Sequence, residues 1–209
     1  MYVPRHFAET RVDVLHDLIR RHPLGTLIVA GPQGLEASHL PFEVDPQPEP
    51  FGTLRCHLAR ANPLWEQIAA DPVLVVFQGE QGYVSPSWYA AKQEHGKVVP
   101  TWDYAAVHAY GSAKVVHDVA WLRRMVEDLT NRHEQGRADP WHVSDAPVEY
   151  VDKLLGAIVG VEIPVTRLIG KWKLSQNRSI ADRQGVVAGL ERAGNPAQAD
   201  VATLIKTTL

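Results

Sequence analysis

The apolar residues at the start of the chain follow first a helical and then an extended period. Helical spacing relates Val12, Leu15, Leu18 and Ile19. It predicts a helix that Thr10 caps and that His22-Pro23 ends. The apolar run Leu24–Ala30 and the extended pattern Leu35–Val44 then flank Gly31-Pro32-Gln33-Gly34. A glycine-containing turn between two extended segments predicts a β-hairpin.

The middle of the chain alternates short strands with turn residues. The pattern indicates a strand at Thr53–Leu58, after the proline-rich surface loop Pro46–Pro50. Asn62-Pro63 supplies the cap and the first-turn proline of a helix that should continue to Ala70. β-Branched and aromatic residues at Val73–Phe77 predict a buried strand. A turn over residues 79–82, bounded by glycines, should separate it from the next strand.

The C-terminal half continues with the same two periods. Extended patterns cover Tyr104–Val116, with Gly111 at a bulge, and Ala157–Ile169, where Pro164 favours an edge strand or a bulge. Helical patterns follow the capping residue Asp118 and cover Pro147–Leu155, Ser179–Ala193 and Gln198–Lys206.

These elements predict a mainly β fold with peripheral helices. About six or seven mostly antiparallel strands would form a closed or nearly closed barrel rather than a doubly wound sheet. Repeats and linkers are not apparent in the sequence. We therefore expect one domain over residues 1–209, with a helical C-terminal extension over about 179–209.

Composition and charge narrow the functional classes. The 21 basic and 24 acidic residues give a net charge of −3, so charge does not favour DNA binding, although a local basic patch stays open. Cys56 is the one cysteine, which excludes a disulfide framework and fits a reducing cytoplasm. Its place in a predicted strand favours a buried core residue over a reactive thiol. We expect a soluble cytoplasmic protein without a membrane span.

Three segments carry more aromatic, hydroxyl and charged side chains than simple connections need. At 57–63 a strand meets a helix, where backbone amides and Arg60 would bind a terminal phosphate unless Asn62 only caps the helix. Residues 83–104 offer tryptophans and tyrosines among hydroxyls, as a wall for a planar heterocycle or as a core or dimer interface. Residues 170–178, after the final strand, combine cations and amides that would contact a polyanion or form a solvated loop.

Several common sites are not supported by the sequence. It contains no Gly-rich dinucleotide motif after a strand, no P-loop and no serine-hydrolase elbow. His39, His57 and His108 lie on predicted strands, but single histidines on strands are usually structural, so no metal site is expected.

The order of several short motifs resembles that of the PaiB-type FMN-binding family. The motifs are MYVPRHF at the N-terminus, SHLPF at 38–42, HLARANPLW at 57–65, YVSPSWYAAK at 83–92, VPTWDYAAVHAYG at 99–111, AIVGVEI at 157–163 and GKWKLSQNR at 170–178. The resemblance spans nearly the whole chain. It implies a flavin-binding split barrel, antiparallel and Greek-key-like, that forms a homodimer with FMN at the subunit interface.

The resemblance also implies site residues. Arg60, Ala61 and Asn62 would bind the FMN phosphate, and Ser38, His39 and Leu40 would run beside the isoalloxazine ring. Further hydrogen bonds and an aromatic wall would come from Ser85, Ser87, Trp88, Tyr89, Lys92, Thr101 and Trp102, with Lys173 and Asn177 as additional contacts. Asp103 stands where the family pattern has Asn and would place a carboxylate near the flavin.

The family is described as a negative transcriptional regulator, so a flavin-dependent regulator is the leading functional interpretation. The alternatives are an FMN-dependent oxidoreductase, which needs an open face over the flavin, and a haem-binding or haem-degrading split barrel. The haem alternative needs an axial ligand, for which His39 or His108 are the candidates.

Overall fold

The computed structural model of the chain describes residues 1–31, 34–68 and 72–209. The strands are β1 (Ala8–Glu9), β2 (Leu24–Gly31), β3 (Gly34–Pro41), β4 (Glu43–Asp45), β5 (Thr53–Ala59), β6 (Pro72–Val84), β7 (Thr101–Ser112), β8 (Lys114–Val116) and β9 (Ile158–Lys173). The helices are α1 (Val12–Arg21), α2 (Leu64–Gln67), α3 (Ala91–His95), α4 (Val119–Glu134), α5 (Val148–Gly156), α6 (Ile180–Arg192) and α7 (Pro196–Lys206). Single turns of 3₁₀ helix cover Arg5–Phe7, Pro86–Trp88 and Val143–Asp145.

The strands form an antiparallel sheet in the order β3-β2-β6-β7-β9-β5-β4, while β1 and β8 also pair with β9. The described part of the sheet does not close on itself, as expected for a split barrel. The predicted mainly β fold with peripheral helices is therefore confirmed.

The chain forms two compact units that are not continuous in sequence. Unit 1 contains residues 1–21, 78–108 and 169–209, and unit 2 contains residues 22–77 and 109–168. Strands β6, β7 and β9 contribute residues to both.

The β2–β3 hairpin of unit 2 is confirmed, with Leu27 opposite Ser38. Its predicted turn residues Pro32 and Gln33 lie outside the described residues. The predicted third strand is β5, which pairs with β9 so that Cys56 lies opposite Val161. Cys56 is buried, and burial raises the pKa of its thiol, so the core role is confirmed.

The turn predicted over residues 79–82 is wrong, because β6 continues through it. Gly79 lies inside the strand, where it allows close packing against α1 and does not form a turn. A Cβ at Gly79 would lie 2.9 Å from Cδ1 of Leu18, a buried residue of α1. Glycine inside a strand often marks such a close approach, which has the same sequence signature as a turn.

The last strand also differs from the prediction. Of the two alternatives that Pro164 suggested, an edge strand or a bulge, the edge strand is wrong, since β9 lies between β7 and β5 in the sheet. Pro164 lies opposite Thr53, the first residue of β5, so its missing N–H falls at the end of that ladder. The strand continues to Lys173, which places the first four residues of the predicted 170–178 loop in β9.

Most helices form where the pattern places them, namely α1, α4, α5, α6 and α7. The predicted cap of α4 is present, since Asp118 Oδ1 accepts a hydrogen bond from the Trp121 amide at 2.6 Å. Helix α2 ends at Gln67 and has only four residues. The predicted extension to Ala70 falls on residues outside the description. No helix among the described residues is long and apolar enough to cross a bilayer.

Candidate functional site

Unit 1 contains a pocket of about 150 Å³ between the start of β7 and the loop that follows β9. Its apolar wall comes from Phe7, Val99 and Pro100. Its polar wall comes from Tyr89, Thr101, Asp103, Lys173, Ser175, Asn177 and Arg178. Four predicted site residues therefore line one pocket, namely Tyr89, Thr101, Lys173 and Asn177.

An ion pair between the half-buried Lys173 and the buried Asp103 lines this pocket. Asp103 is fully buried, and its Oδ2 accepts a hydrogen bond from Ser175 Oγ at 2.7 Å. Lys173 Nζ lies 3.4 Å from Asp103 Oδ1. Lys173 Nζ also donates to Thr101 Oγ1 at 2.7 Å and to the Trp102 carbonyl. All three N–H donors of Lys173 therefore have acceptors inside the protein.

The environment of Asp103 opposes its ionisation. Burial raises the pKa of the Asp103 carboxyl, and the hydrogen bond from Ser175 and the charge of Lys173 offset part of this effect. Ser175, whose hydroxyl contacts Asp103, has a backbone φ of 60°. This value lies in the left-handed region that non-glycine residues rarely adopt. The Arg178 amide, which donates to the Ser175 carbonyl at 2.9 Å, closes this turn.

Tyr89 and Arg178 face each other at the pocket wall. The Arg178 guanidinium carbon lies 4.9 Å from the centre of the Tyr89 ring, within the range of a cation–π contact. The Tyr89 side chain is 2 % exposed, and its hydroxyl oxygen has no hydrogen-bond partner among the described residues. Burial raises the pKa of Tyr89, so the hydroxyl keeps its proton.

The segment that carries Tyr89 is held from one side by helix α6. A Cβ at Gly189 would lie 2.2 Å from the Trp88 ring, and a Cβ at Gly185 would lie 2.0 Å from the Trp88 carbonyl oxygen. Trp88 thus packs into a groove that two glycines open on the helix. Asp182 of α6 also accepts a hydrogen bond from the Ala91 amide at 2.9 Å.

Three other predicted residues of this segment have local roles or are exposed. Ser85 Oγ lies 2.7 Å from Ser87 Oγ and accepts a hydrogen bond from the Ser87 amide, so Ser85 caps the 3₁₀ turn. Lys92 lies on the exposed surface of α3. Neither serine nor Lys92 lines the pocket.

Trp102 belongs to a different surface of unit 1. Side chains alternate along a strand, so Trp102 and its neighbours Thr101 and Asp103 lie on opposite faces of β7. Trp102 is 55 % exposed and contacts Tyr83, which is 42 % exposed, edge to face at 6.2 Å between ring centres. Thr101 and Trp102 therefore face different sides of β7, and their contacts with a flavin stay a prediction.

The predicted phosphate residues Arg60, Ala61 and Asn62 lie in unit 2, where β5 leads into α2. Arg60 Nε and Nη2 donate to the carbonyls of Gly156 and Ile158, each at 2.8 Å. The Arg60 amide donates to the Ala157 carbonyl at 2.8 Å.

Neighbouring donors of this junction are also engaged. Asn62 Oδ1 caps the turn by accepting from the Leu64 amide at 2.9 Å, and the Asn62 amide donates to the Ala59 carbonyl. A helix of four residues also has a small dipole. A phosphate site was expected here because the start of a helix has unpaired backbone amides. The amides of Arg60, Asn62 and Leu64 are already hydrogen-bonded within the protein.

The predicted ring contacts Ser38, His39 and Leu40 also lie in unit 2, on β3. His39 is exposed, and its Nδ1 lies 3.0 Å from Thr26 Oγ1 across the hairpin. Ser38 and Leu40 are half-buried on the other face of the strand. The described residues contain no group of three potential metal ligands.

Six residues of the pocket were not among the predicted cofactor-binding residues: the apolar Phe7, Val99 and Pro100, and the polar Asp103, Ser175 and Arg178. Asp103 had a signal, its departure from the family pattern. Arg178 also had one, as a cation next to the predicted Asn177. Ser175 had none, because its role depends on a backbone turn and on a contact with β7.

The fold places the protein in the class of split β-barrels. In solved structures, the same fold occurs in the FAD and haem binding protein of Mycobacterium smegmatis, with a TM-score of 0.61 over 87% of this chain and 80% of that chain. The identity is 19%, so this likeness concerns the fold alone.

The chain belongs to the family described as "Putative FMN-binding domain", whose model matches residues 1–167. An uncharacterised protein of Emericella nidulans is 37% identical over 99% of this chain and 96% of its own length. The "Protease synthase and sporulation protein PAI 2" of Bacillus subtilis is 30% identical over 100% of this chain and 98% of its own length. The resemblance to the PaiB family is confirmed.

Proposed function

We propose that this protein binds FMN as a homodimer and that the bound flavin serves a cytoplasmic regulator of the PaiB type. Membership of an FMN-binding family supports the cofactor. The regulatory role rests on the similarity to the Bacillus subtilis relative, whose name concerns protease synthesis and sporulation. The net charge of −3 does not favour DNA as the direct partner.

One observation carries the cofactor proposal, the exposed aromatic pair of Tyr83 and Trp102 on unit 1. The two exposed rings contact each other and so form an aromatic patch, and a planar heterocycle is a suitable cover for such a patch. Bound FMN would supply electron or hydride transfer, while the chain would supply binding and orientation.

The volume of the unit 1 pocket favours a shared site. At about 150 Å³ it is smaller than the roughly 300 Å³ at which pockets for organic ligands begin. A whole flavin therefore does not fit in this pocket. Because Trp102 lies on the opposite face of β7, one flavin would contact both Trp102 and the pocket only if a second chain contributes one of them. For the phosphate, the candidates are the predicted Arg60–Asn62 junction and the pocket cation Arg178.

The test is a titration of the purified protein with FMN, followed by the visible spectrum and by quenching of flavin fluorescence. We expect saturable binding that Trp102→Leu weakens roughly two- to tenfold, the range of an aromatic stacking contact. The matched control is Trp141→Leu, because Trp141 is 47 % exposed and lies in unit 2. We expect this control to bind FMN like the wild type.

Two results would contradict the proposal. One is the absence of saturable FMN binding by folded protein. The other is a Soret band on haem addition in a protein that does not bind FMN, which would support the haem alternative. If FMN binds and reduced nicotinamide cofactors reduce it catalytically, the oxidoreductase alternative replaces the regulator.

A further inference from the structure

The unit 1 pocket has a positive charge that no described residue neutralises. Its charged groups are Asp103, Lys173 and Arg178. Asp103 and Lys173 form an ion pair with each other. Arg178 forms no ion pair with any described residue, and its contact is the uncharged ring of Tyr89. With Asp103 ionised, the pocket therefore carries one net positive charge, located on Arg178.

A second observation at the same place points to a ligand. The buried Tyr89 hydroxyl lies near Ser175 and Arg178, yet no described group forms a hydrogen bond of normal geometry with it. A buried polar group without a partner costs free energy, and such groups occur where a ligand supplies the partner. Because Tyr89 keeps its proton, its hydroxyl can donate to an acceptor.

We propose that this pocket binds an oxyanion, a phosphate or a carboxylate, and that Arg178 is the residue that recognises it. The planar guanidinium presents its donors in a fork that matches two oxygens of such a group. Asn177 and the Tyr89 hydroxyl supply uncharged donors. The pocket volume suits a phosphate or carboxylate group and not a whole flavin.

The Asp103–Lys173 pair explains why Arg178, and not Lys173, has this role. Lys173 is saturated by Thr101, the Trp102 carbonyl and Asp103. An asparagine at position 103, as in the PaiB pattern, would remove the carboxylate and leave the charge of Lys173 unbalanced. The aspartate of this chain neutralises Lys173 and leaves the selection of the anion to Arg178.

Two sources of the oxyanion are consistent with this chemistry. The first is the phosphate of FMN itself, in which case the inference rests on the proposed function. The second is a separate small anion, in which case it does not. The variants Arg178→Gln and Arg178→Lys distinguish these sources, with Arg192→Gln on the exposed surface of α6 as the matched control.

In the first arm, wild type and variants are titrated with FMN and with riboflavin. If the FMN phosphate is the anion, Arg178→Gln lowers the affinity for FMN about tenfold or more and leaves that for riboflavin unchanged, as loss of a charged hydrogen bond predicts. Arg178→Lys retains part of the preference for FMN. Arg60→Gln serves as a comparison, because it would remove the preference if the phosphate binds at the β5–α2 junction.

In the second arm, inorganic phosphate and acetate are titrated by calorimetry at constant ionic strength. A separate anion site gives saturable binding of one of these probes, which Arg178→Gln weakens at least tenfold and Arg192→Gln does not. This result would stand even if the protein bound no flavin. The proposal is overturned if folded Arg178→Gln matches the wild type in both arms.

Discussion

At the scale of single residues, the charges of the unit 1 pocket show what a sequence pattern can and cannot identify. The family resemblance implied Lys173 and Asn177 as ligand contacts, in a segment whose cations and amides would contact a polyanion or form a solvated loop. In the structure, Lys173 forms an ion pair with the Asp103 carboxylate, whereas Arg178 forms no ion pair with a described residue. Which of two nearby cations is available depends on the position of one carboxylate, and that carboxylate is 70 residues away.

The buried carboxylate predicts a pH-dependent stability. The folded-state pKa of Asp103 is raised, so the folded state binds this proton more tightly than the unfolded state. The stabilisation from the neutral acid is present below the unfolded pKa, about 3.9, and is lost as pH rises through the folded pKa. Asp103→Asn lacks this dependence. We therefore expect wild type to lose stability relative to Asp103→Asn as pH rises above about 4.

Urea unfolding of both proteins at several pH values measures this difference. A difference that does not change with pH, or that grows in favour of the wild type as pH rises, would show that Lys173 and Ser175 compensate the burial of Asp103 fully.

At the scale of elements, helix α6 determines how the aromatic segment before α3 is placed. The sequence predicted the helix and the aromatic segment separately. It did not predict that Gly185 and Gly189 form a groove for Trp88. Glycine inside a helix normally costs about 1 kcal/mol relative to alanine, so its presence there indicates a packing role.

We expect Gly189→Ala to destabilise the protein by about 1–3 kcal/mol, because the new Cβ would overlap the Trp88 ring. Helix propensity alone predicts the opposite sign. Gly156→Ala is the control, since Gly156 also lies in a helix and nothing lies within 4 Å of a Cβ built there. Urea denaturation gives the free energies of unfolding. Equal or increased stability of Gly189→Ala would mean that Trp88 has room to move.

At the scale of the whole molecule, the exposed aromatic pair and the small pocket lead to a prediction about assembly. If a second chain completes the flavin site, FMN binding stabilises the dimer, because a ligand that binds one state shifts the equilibrium toward it. Sedimentation velocity over a range of protein concentrations, with and without FMN, measures this linkage. We expect a species with twice the mass of one chain, favoured further by FMN. A monomer that binds FMN with an affinity independent of protein concentration would refute the shared site.

The amino-acid sequence by itself determined most of the local structure and the family. Periodicity and caps predicted α1, α4 and the β2–β3 hairpin, because these depend on residues close together in the chain. The ordered motifs, from SHLPF to GKWKLSQNR, identified the flavin-binding family, because a series of short matches in a fixed order rarely arises by chance.

Only the tertiary structure decided which chemical groups are engaged and which are available. In the sequence, a glycine such as Gly79 indicates either a turn or a close approach by another side chain. The short distance to Leu18 in the structure shows that the close approach is the reason. Arg60 has the signature of a phosphate ligand, yet carbonyls near position 157 bind its guanidinium. Arg178 is available because Asp103 pairs with Lys173. Hydrogen bonds and ion pairs between distant residues compete with a ligand for the same donors, and no pattern along the chain records that competition.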